Sequence, residues 1–203
     1  MLYWRLSIKK DSKFKTGMAI LAIVLTGVIL GLASLAAGMA IVGLGGGINN
    51  GPWSTNLATG SEKADPYLRA VIAVFGLLAL NPSETMYFST SKDSDGSPLN
   101  GNCTYRIEGK APDARWWSIT VYGADGYLIP NTERYSYSLT DMTPDSNGVY
   151  TIYLSKTRHA DNWLSLGNES TFNLSLRLYN PAPYVRNNPG TAELPRIIKD
   201  DCK

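Results

Sequence analysis

Residues 172–179 read FNLSLRLY. Phe172, Leu174, Leu176 and Leu178 alternate without a break with Asn173, Ser175, Arg177 and Tyr179. Successive side chains of a strand point to opposite faces, so this is a strand with one buried and one polar side. Trp117, Ile119 and Val121 alternate in the same way with Trp116, Ser118, Thr120 and Tyr122, and Tyr150, Ile152 and Leu154 repeat the pattern. Asp95-Gly96, Asp125-Gly126 and Asn147-Gly148 fall between the strand-like runs and are tight-turn dipeptides of the kind antiparallel hairpins use. Short strands with such punctuation predict a β-sandwich or jelly roll rather than a parallel α/β sheet.

Toward the N-terminus the pattern changes. Asp65-Pro66 is a helix start, with Asp as N-cap and Pro in the first turn, and YLRAVIAVFGLLAL continues to a stop at Asn81-Pro82. At about 15 residues this helix is short for a membrane crossing, so it is expected to pack into the domain core or else to lie on the membrane surface. Further upstream, TGMAILAIVLTGVILGLASLAAGMAIVGLGGG at 16–47 is apolar and small, with no charged side chain between Lys15 and Glu62. Its apolar stretch exceeds the roughly 20 residues needed to cross a bilayer, which predicts a single transmembrane helix over 16–44. Residues 1–15 then form a basic cytoplasmic tail, 45–64 a Gly-rich exit and linker, and 65–203 the β-sandwich domain.

The overall charge of +2 hides an asymmetry. Arg5, Lys9, Lys10, Lys13 and Lys15 against Asp11 give the tail +4, which leaves −2 for the rest and no basic stripe suited to nucleic acid. The basic flank places the N-terminus in the cytoplasm, with Tyr3, Trp4 and Phe14 at headgroup level, and sends the C-terminal domain to the outward side of the membrane. A cleaved signal peptide is the competing reading, since Ala36-Ala37-Gly38-Met39-Ala40 offers small residues, but the apolar run is far longer than a usual h-region of roughly 7–15 residues. Gly27, Gly31, Ser34 and Gly38 share one helix face in a GxxxG-type pattern, a candidate interface for a homo-oligomer or a membrane-protein complex. The bilayer itself is the first expected partner.

Cys103 and Cys202 both lie on the outward side, and their parity there predicts a disulfide tying the tail to the domain. The segment before Cys202 carries prolines at 181, 183, 189 and 195 and is expected to run extended over the surface. Neither a metal site nor a cofactor site is expected: there is no CxxC or Cys/His ligand spacing and no phosphate-cradling Gly loop before a helix.

Several short motifs in fixed order also resemble one family. They are GPWSTN at 51–56, ADPYLRA at 64–70, GLLAL at 76–80, and then SETMYF, CTYRIEG, ARWWSITVY, GYLIPN, NWL and LRLYNP. Together they resemble the bacterial envelope family catalogued as domain of unknown function 1214, over nearly everything after the apolar run. The resemblance implies a jelly-roll-like antiparallel β-sandwich. It also implies a short membrane-anchored form, in which a helix replaces the further domain that many longer relatives carry. It brings no settled activity.

Candidate binding residues follow from residue type and face. Arg115 and Trp116 are expected near the surface of their strand, where an aromatic beside a guanidinium stacks on a sugar, a headgroup or a partner, or simply covers the sheet's second face. Arg177 and Tyr179 share the polar face of theirs, with Arg177 otherwise held by a carboxylate such as Glu84 or Glu108. Trp163 sits between strands, where binding loops lie. No catalytic residue is assigned: His159, the sole histidine, is a solvated loop residue on this reading, and there is no GxSxG or HExxH. Glu84, Glu108, Asp113, Asp141 and Asp161 are the carboxylates from which a glycosidase pair would have to be drawn. The expectation is a membrane-anchored accessory subunit or binding module, non-catalytic, with a hydrolase acting on an envelope lipid or glycan as the alternative.

Overall fold

The computed structural model describes residues 2–45, 47–74, 78–130 and 132–202, with the side chains of 2–12 and 42–45 outside that description. The chain divides into two units, Met1–Gly45 and Gly46–Lys203. The first is one helix, α1 (Leu2–Gly45). Within it Lys13–Ile41 is long and apolar enough to cross a membrane. The expected tail is thus helical rather than separate, since no Gly or Pro interrupts residues 2–16. Phe14 is exposed, whereas the side chains of Tyr3 and Trp4, read as headgroup residues, fall outside the described set.

The second unit is mainly β. Its strands are β1 (Ile48–Asn50), β2 (Trp53–Thr55), β3 (Thr85–Thr90), β4 (Cys103–Lys110), β5 (Ala114–Gly123), β6 (Ser136–Ser138), β7 (Val149–Ser155), β8 (Trp163–Ser165), β9 (Phe172–Pro181) and β10 (Arg196–Cys202). A six-stranded sheet runs β1-β2-β3-β9-β5-β6 and a four-stranded sheet runs β10-β4-β7-β8. Every pairing is antiparallel except β7 with β8, which makes the smaller sheet mixed rather than purely antiparallel.

The alternating residues do what their period requires. Phe172, Leu174, Leu176 and Leu178 of β9, and Trp117, Ile119 and Val121 of β5, turn inward with Met86 and Phe88 of β3. They meet Tyr105, Ile107, Ile152, Leu154, Leu164 and Ile197 from the other sheet in one continuous core. Edge-to-face rings, Tyr105 on Phe172 at 5.6 Å and Trp117 on Tyr150 at 5.3 Å, bridge the layers. The layers form a sandwich.

Three expectations change. Residues 48–55, read as linker, supply β1 and β2, and Trp53 is buried with its indole N–H donating to Pro195 O at 2.7 Å. Two strands of three residues are too short to show a period, which is why composition alone read them as linker. Next, the helix begun by Asp65 is α2 (Pro66–Val74), not a helix to residue 80. Asp65 does cap it, accepting from the N–H groups of Tyr67 at 2.8 Å and Leu68 at 3.0 Å. Residues 75–77 of the expected helix lie outside the described residues, and 78–80 are not helical. There the Tyr87 hydroxyl donates to Leu78 O, so a side chain takes a carbonyl the helix would have used. Of α2 only Leu68 is buried, which corrects the expectation of a core helix. A run apolar on all sides cannot say which side faces the protein.

The proline-rich tail also differs. It contains a short helix, α3 (Pro183–Asn187), whose first position suits Pro because that N–H has no intrahelical partner. A 3-10 turn follows at Pro189–Thr191, and β10 then pairs with β4 instead of lying over the surface. Of the turn dipeptides, Gly96, Gly126 and Gly148 all have positive φ. The first two close small hairpins, with bridges Lys92 to Pro98 and Tyr122 to Leu128. Asn147-Gly148 instead forms a local turn capped by Asp145, because β6 and β7 belong to different sheets.

Candidate binding groove at the open edge of the sandwich

A concavity of about 820 Å³ lies where β6 at one edge of the larger sheet comes beside β7 and β8 of the smaller one. Thr151 and Tyr153 face it because they alternate with the core residues Ile152 and Leu154, and Trp163 and Ser165 flank buried Leu164 in the same way. Tyr137 of β6 joins the sheets, its hydroxyl accepting from the backbone N–H of Trp163 at 3.1 Å. The remaining wall comes from residues 133–134, 141–145 and 158–162.

Several polar groups of the groove have defined partners. Arg134 lies over the Tyr137 ring, 4.6 Å from its centre, and reaches Asp141 at 3.5 Å. Asp141 also accepts from the Ser138 hydroxyl. That hydrogen bond is the main reason its carboxyl is held below the ordinary aspartate value. Desolvation opposes the shift and the Arg134 charge adds to it. Asp145 is likewise lowered, by the amides of Val149 and Asn147. Arg158 pairs with Glu133 at 2.9 Å. His159 stacks on Tyr153 at 3.6 Å between centres and 16° between planes.

The Nδ1 atom of His159 accepts from the Asp161 N–H at 3.2 Å, so on this geometry the ring proton sits on Nε2. An ion pair with the Asp161 carboxylate, 3.9 Å away, would need the proton on Nδ1 instead. The backbone contact is the shorter of the two and decides the tautomer. Trp163 turns its indole N–H inward, to the Ser155 hydroxyl at 2.9 Å, and leaves its ring on the groove wall. The two arginines and four carboxylates of the lining sum to a formal charge of −2. Among the described residues no group of three or more His, Cys, Asp or Glu is placed to hold a metal.

Of the residues singled out in the sequence, Trp163, His159, Asp141 and Asp161 line this groove, whereas the other candidate binding residues, Arg115, Trp116, Arg177 and Tyr179, lie elsewhere. Arg115 is exposed on β5. Trp116 packs edge-to-face on Tyr179 at 5.0 Å across the β5/β9 register. Arg177 is held not by Glu84 or Glu108 but by hydroxyls, those of Thr120 at 3.0 Å and Tyr122 at 2.6 Å. Its guanidinium lies 5.7 Å from the Tyr122 ring centre. Glu108 pairs with Arg106 instead. Trp116, Arg177 and Tyr179 therefore share the outer face of the larger sheet. On α1, Gly27 and Gly31 are open, and a Cβ at either meets nothing within 4 Å.

The sequence reading missed Arg134, Tyr137 and Tyr153. Tyr153 was accessible to it, as the polar-face partner of Ile152 and Leu154. Arg134 and Tyr137 sit in a loop and a three-residue strand without a legible period.

What these features define is a two-sheet β domain following an apolar helix. Residues 84–183, the greater part of the sandwich, match the family described as "Protein of unknown function (DUF1214)". Among solved structures, the chain is similar to the VPA0106 protein from Vibrio parahaemolyticus, with 28% identity and a TM-score of 0.56 over 68% of this chain. It spans 36% of that protein's length. It is also similar to a putative uncharacterized protein from Burkholderia cenocepacia, at 17% identity and a TM-score of 0.49 over 86% of this chain and 42% of that one. No curated protein matches the chain.

Proposed function

We propose that this chain is a single-pass, membrane-anchored binding module, with α1 as an uncleaved anchor, its N-terminus in the cytoplasm, and the sandwich in an oxidising compartment outside. Three features support that placement: the length and exposure of Lys13–Ile41, the basic residues before it, and the Cys103–Cys202 disulfide beyond it. The small-residue face of α1 is the surface we assign to a membrane partner or a second copy.

The observation that carries the binding role is the groove between β6 and β7–β8. Its carboxylates Asp141 and Asp145 are held as anions by donors of the protein itself. Such groups accept hydrogen bonds from a ligand but are poor proton donors near neutrality. Tyr137, Tyr153 and Trp163 add apolar surface beside them, a combination suited to a hydroxyl-bearing ligand. One specific observation favours the hydrolase alternative: Glu133, Asp141, Asp145 and Asp161 line one concavity.

Recovery of the intact chain from native membranes in mild detergent tests the whole reading. N-terminal sequencing should return the uncleaved chain, and a partner or ligand should copurify and be lost in Arg134→Ala and Trp163→Ala variants. Processing near Ala40 would overturn the anchor. Retention of the same ligand by both variants would overturn the groove. Turnover of an envelope glycan, abolished by Asp141→Asn, would establish the alternative.

A further inference from the structure

In the connection from β2 to β3, several apolar side chains of the described residues are exposed. From Ala70 to Ser83 no residue is charged. Within it Val74 is 68% and Leu78 77% exposed, with Leu80 and, at the head of α2, Tyr67 also open to solvent. This surface occupies a definite end of the larger sheet. Ile48 pairs with Thr55, so the chain enters the domain beside the point where β2 leaves for α2. The return, near Leu80, passes against Gly60 and leads into β3 at Thr85. The Asp125-Gly126 turn lies at the opposite end, since β5 runs from Ala114 beside Pro181 to Gly123 beside Phe172.

We infer that α2 and the described residues that follow it, Leu78 and Leu80, rest in the headgroup region of the bilayer that α1 crosses. The inference rests on the anchor reading proposed above. Chain connectivity selects the occupant: α1 runs to Gly45 and β1 starts at Ile48, so only two residues, 46 and 47, intervene. A link that short keeps the entry end of the sandwich at very high effective concentration near lipid, and even weak interfacial partitioning is then saturated. The one basic side chain on α2, Arg69, is engaged with the carbonyls of Ala64 at 2.8 Å and Glu62 at 3.3 Å. The segment's contact with lipid is therefore apolar, not an attraction to anionic headgroups. The groove lies at the β6 edge, four strands from β2 in the sheet order, and is left clear of this contact.

Site-directed spin labelling of the full chain in phosphatidylcholine vesicles tests this. Both native cysteines are in the disulfide, so Leu78→Cys and, at the opposite end, Tyr127→Cys each give one label site. The label at 78 should collide several-fold more with oxygen, relative to a water-soluble nickel chelate, than the label at 127, and added anionic lipid should not change the ratio. Equal accessibility at both sites, in protein that floats with the vesicles after alkaline washing, overturns the docking and leaves the anchor standing. Protein released by the alkaline wash overturns the anchor itself. Protection at 78 that grows with protein-to-lipid ratio assigns the surface to a second copy and overturns the lipid contact.

Discussion

At the scale of single residues the groove is set by Asp141, whose carboxylate takes the Ser138 hydroxyl and lies within 3.5 Å of Arg134. Its folded value is lowered, so whatever it contributes to the folded state is present above the unfolded aspartate value. That contribution is lost as pH falls through the folded value, on the acid side of about 4. Ser138→Ala removes the largest cause and should move the Asp141 midpoint upward in a carboxyl NMR titration, whereas Arg134→Ala should move it less. The reverse order would show that charge rather than the hydroxyl fixes this anion. Because Arg134 and Asp141 are both about 40% exposed, their pairing adds little to stability, and the stability cost of Arg134→Ala should stay within about 0.5 kcal/mol. Arg134→Ala is thus a clean probe of binding. Asp93 is the contrasting case, a buried carboxylate whose Oδ1 accepts from the amides of Asp95 at 3.1 Å and Ser97 at 2.8 Å. Replacing it by Ala should cost about 1–3 kcal/mol in urea unfolding, because buried donors lose their acceptor.

Among the elements, β10 depends most on a single covalent bond. It is an edge strand, with Cys202 directly opposite Cys103 in the register and Arg106 of β4 reaching Asp200 at 2.9 Å. The disulfide closes a loop of sequence separation 99, so its removal frees a large unfolded ensemble. The double variant Cys103→Ser/Cys202→Ser should lose about 2–5 kcal/mol in equilibrium urea unfolding. Hydrogen exchange should also accelerate first along Lys199–Cys202, the part of the strand beyond the bulge. Unchanged stability would mean that ladder pairing alone holds the strand.

The same elements show what was legible in the sequence. Long strands with unbroken alternation, β5, β7 and β9, were readable because one face meets the core and the other does not. So were the Asp65 cap and the cysteine pair. The three-residue strands, the non-helical backbone at 78–80 and the groove were not. A short strand has no period, an all-apolar run has no face, and the groove is assembled from β6, β7 and β8 across two sheets. Trp163 was visible as an aromatic between strands, but nothing local to it marks Tyr137 as its hydrogen-bond partner 26 residues away.

For the whole molecule the open question is where the folded domain begins, and the structure puts that point well before the composition shift at Asp65. Trp53 is 1% exposed, and Asn50 donates to Pro189 O at 2.9 Å and Ala192 O at 2.7 Å, so β1 and β2 fasten the C-terminal segment to the larger sheet. A chain of residues 46–203 should therefore leave the membrane fraction yet melt cooperatively, with its groove intact. A chain of residues 65–203 loses the indole and uncovers the edge of β3. Truncating a buried Trp alone costs about 3–5 kcal/mol, a large share of the roughly 5–15 kcal/mol that holds a domain together. The shorter chain should be largely unfolded or aggregated at 25 °C, through the exposed strand edge. Trp53→Ala in the full chain separates the two causes: loss of core packing lowers stability without aggregation, whereas loss of the edge strands brings aggregation as well. Equal melting of the 46–203 and 65–203 chains would return β1 and β2 to the status of a linker. Failure of the 46–203 chain to fold would instead make α1 part of the domain rather than its tether.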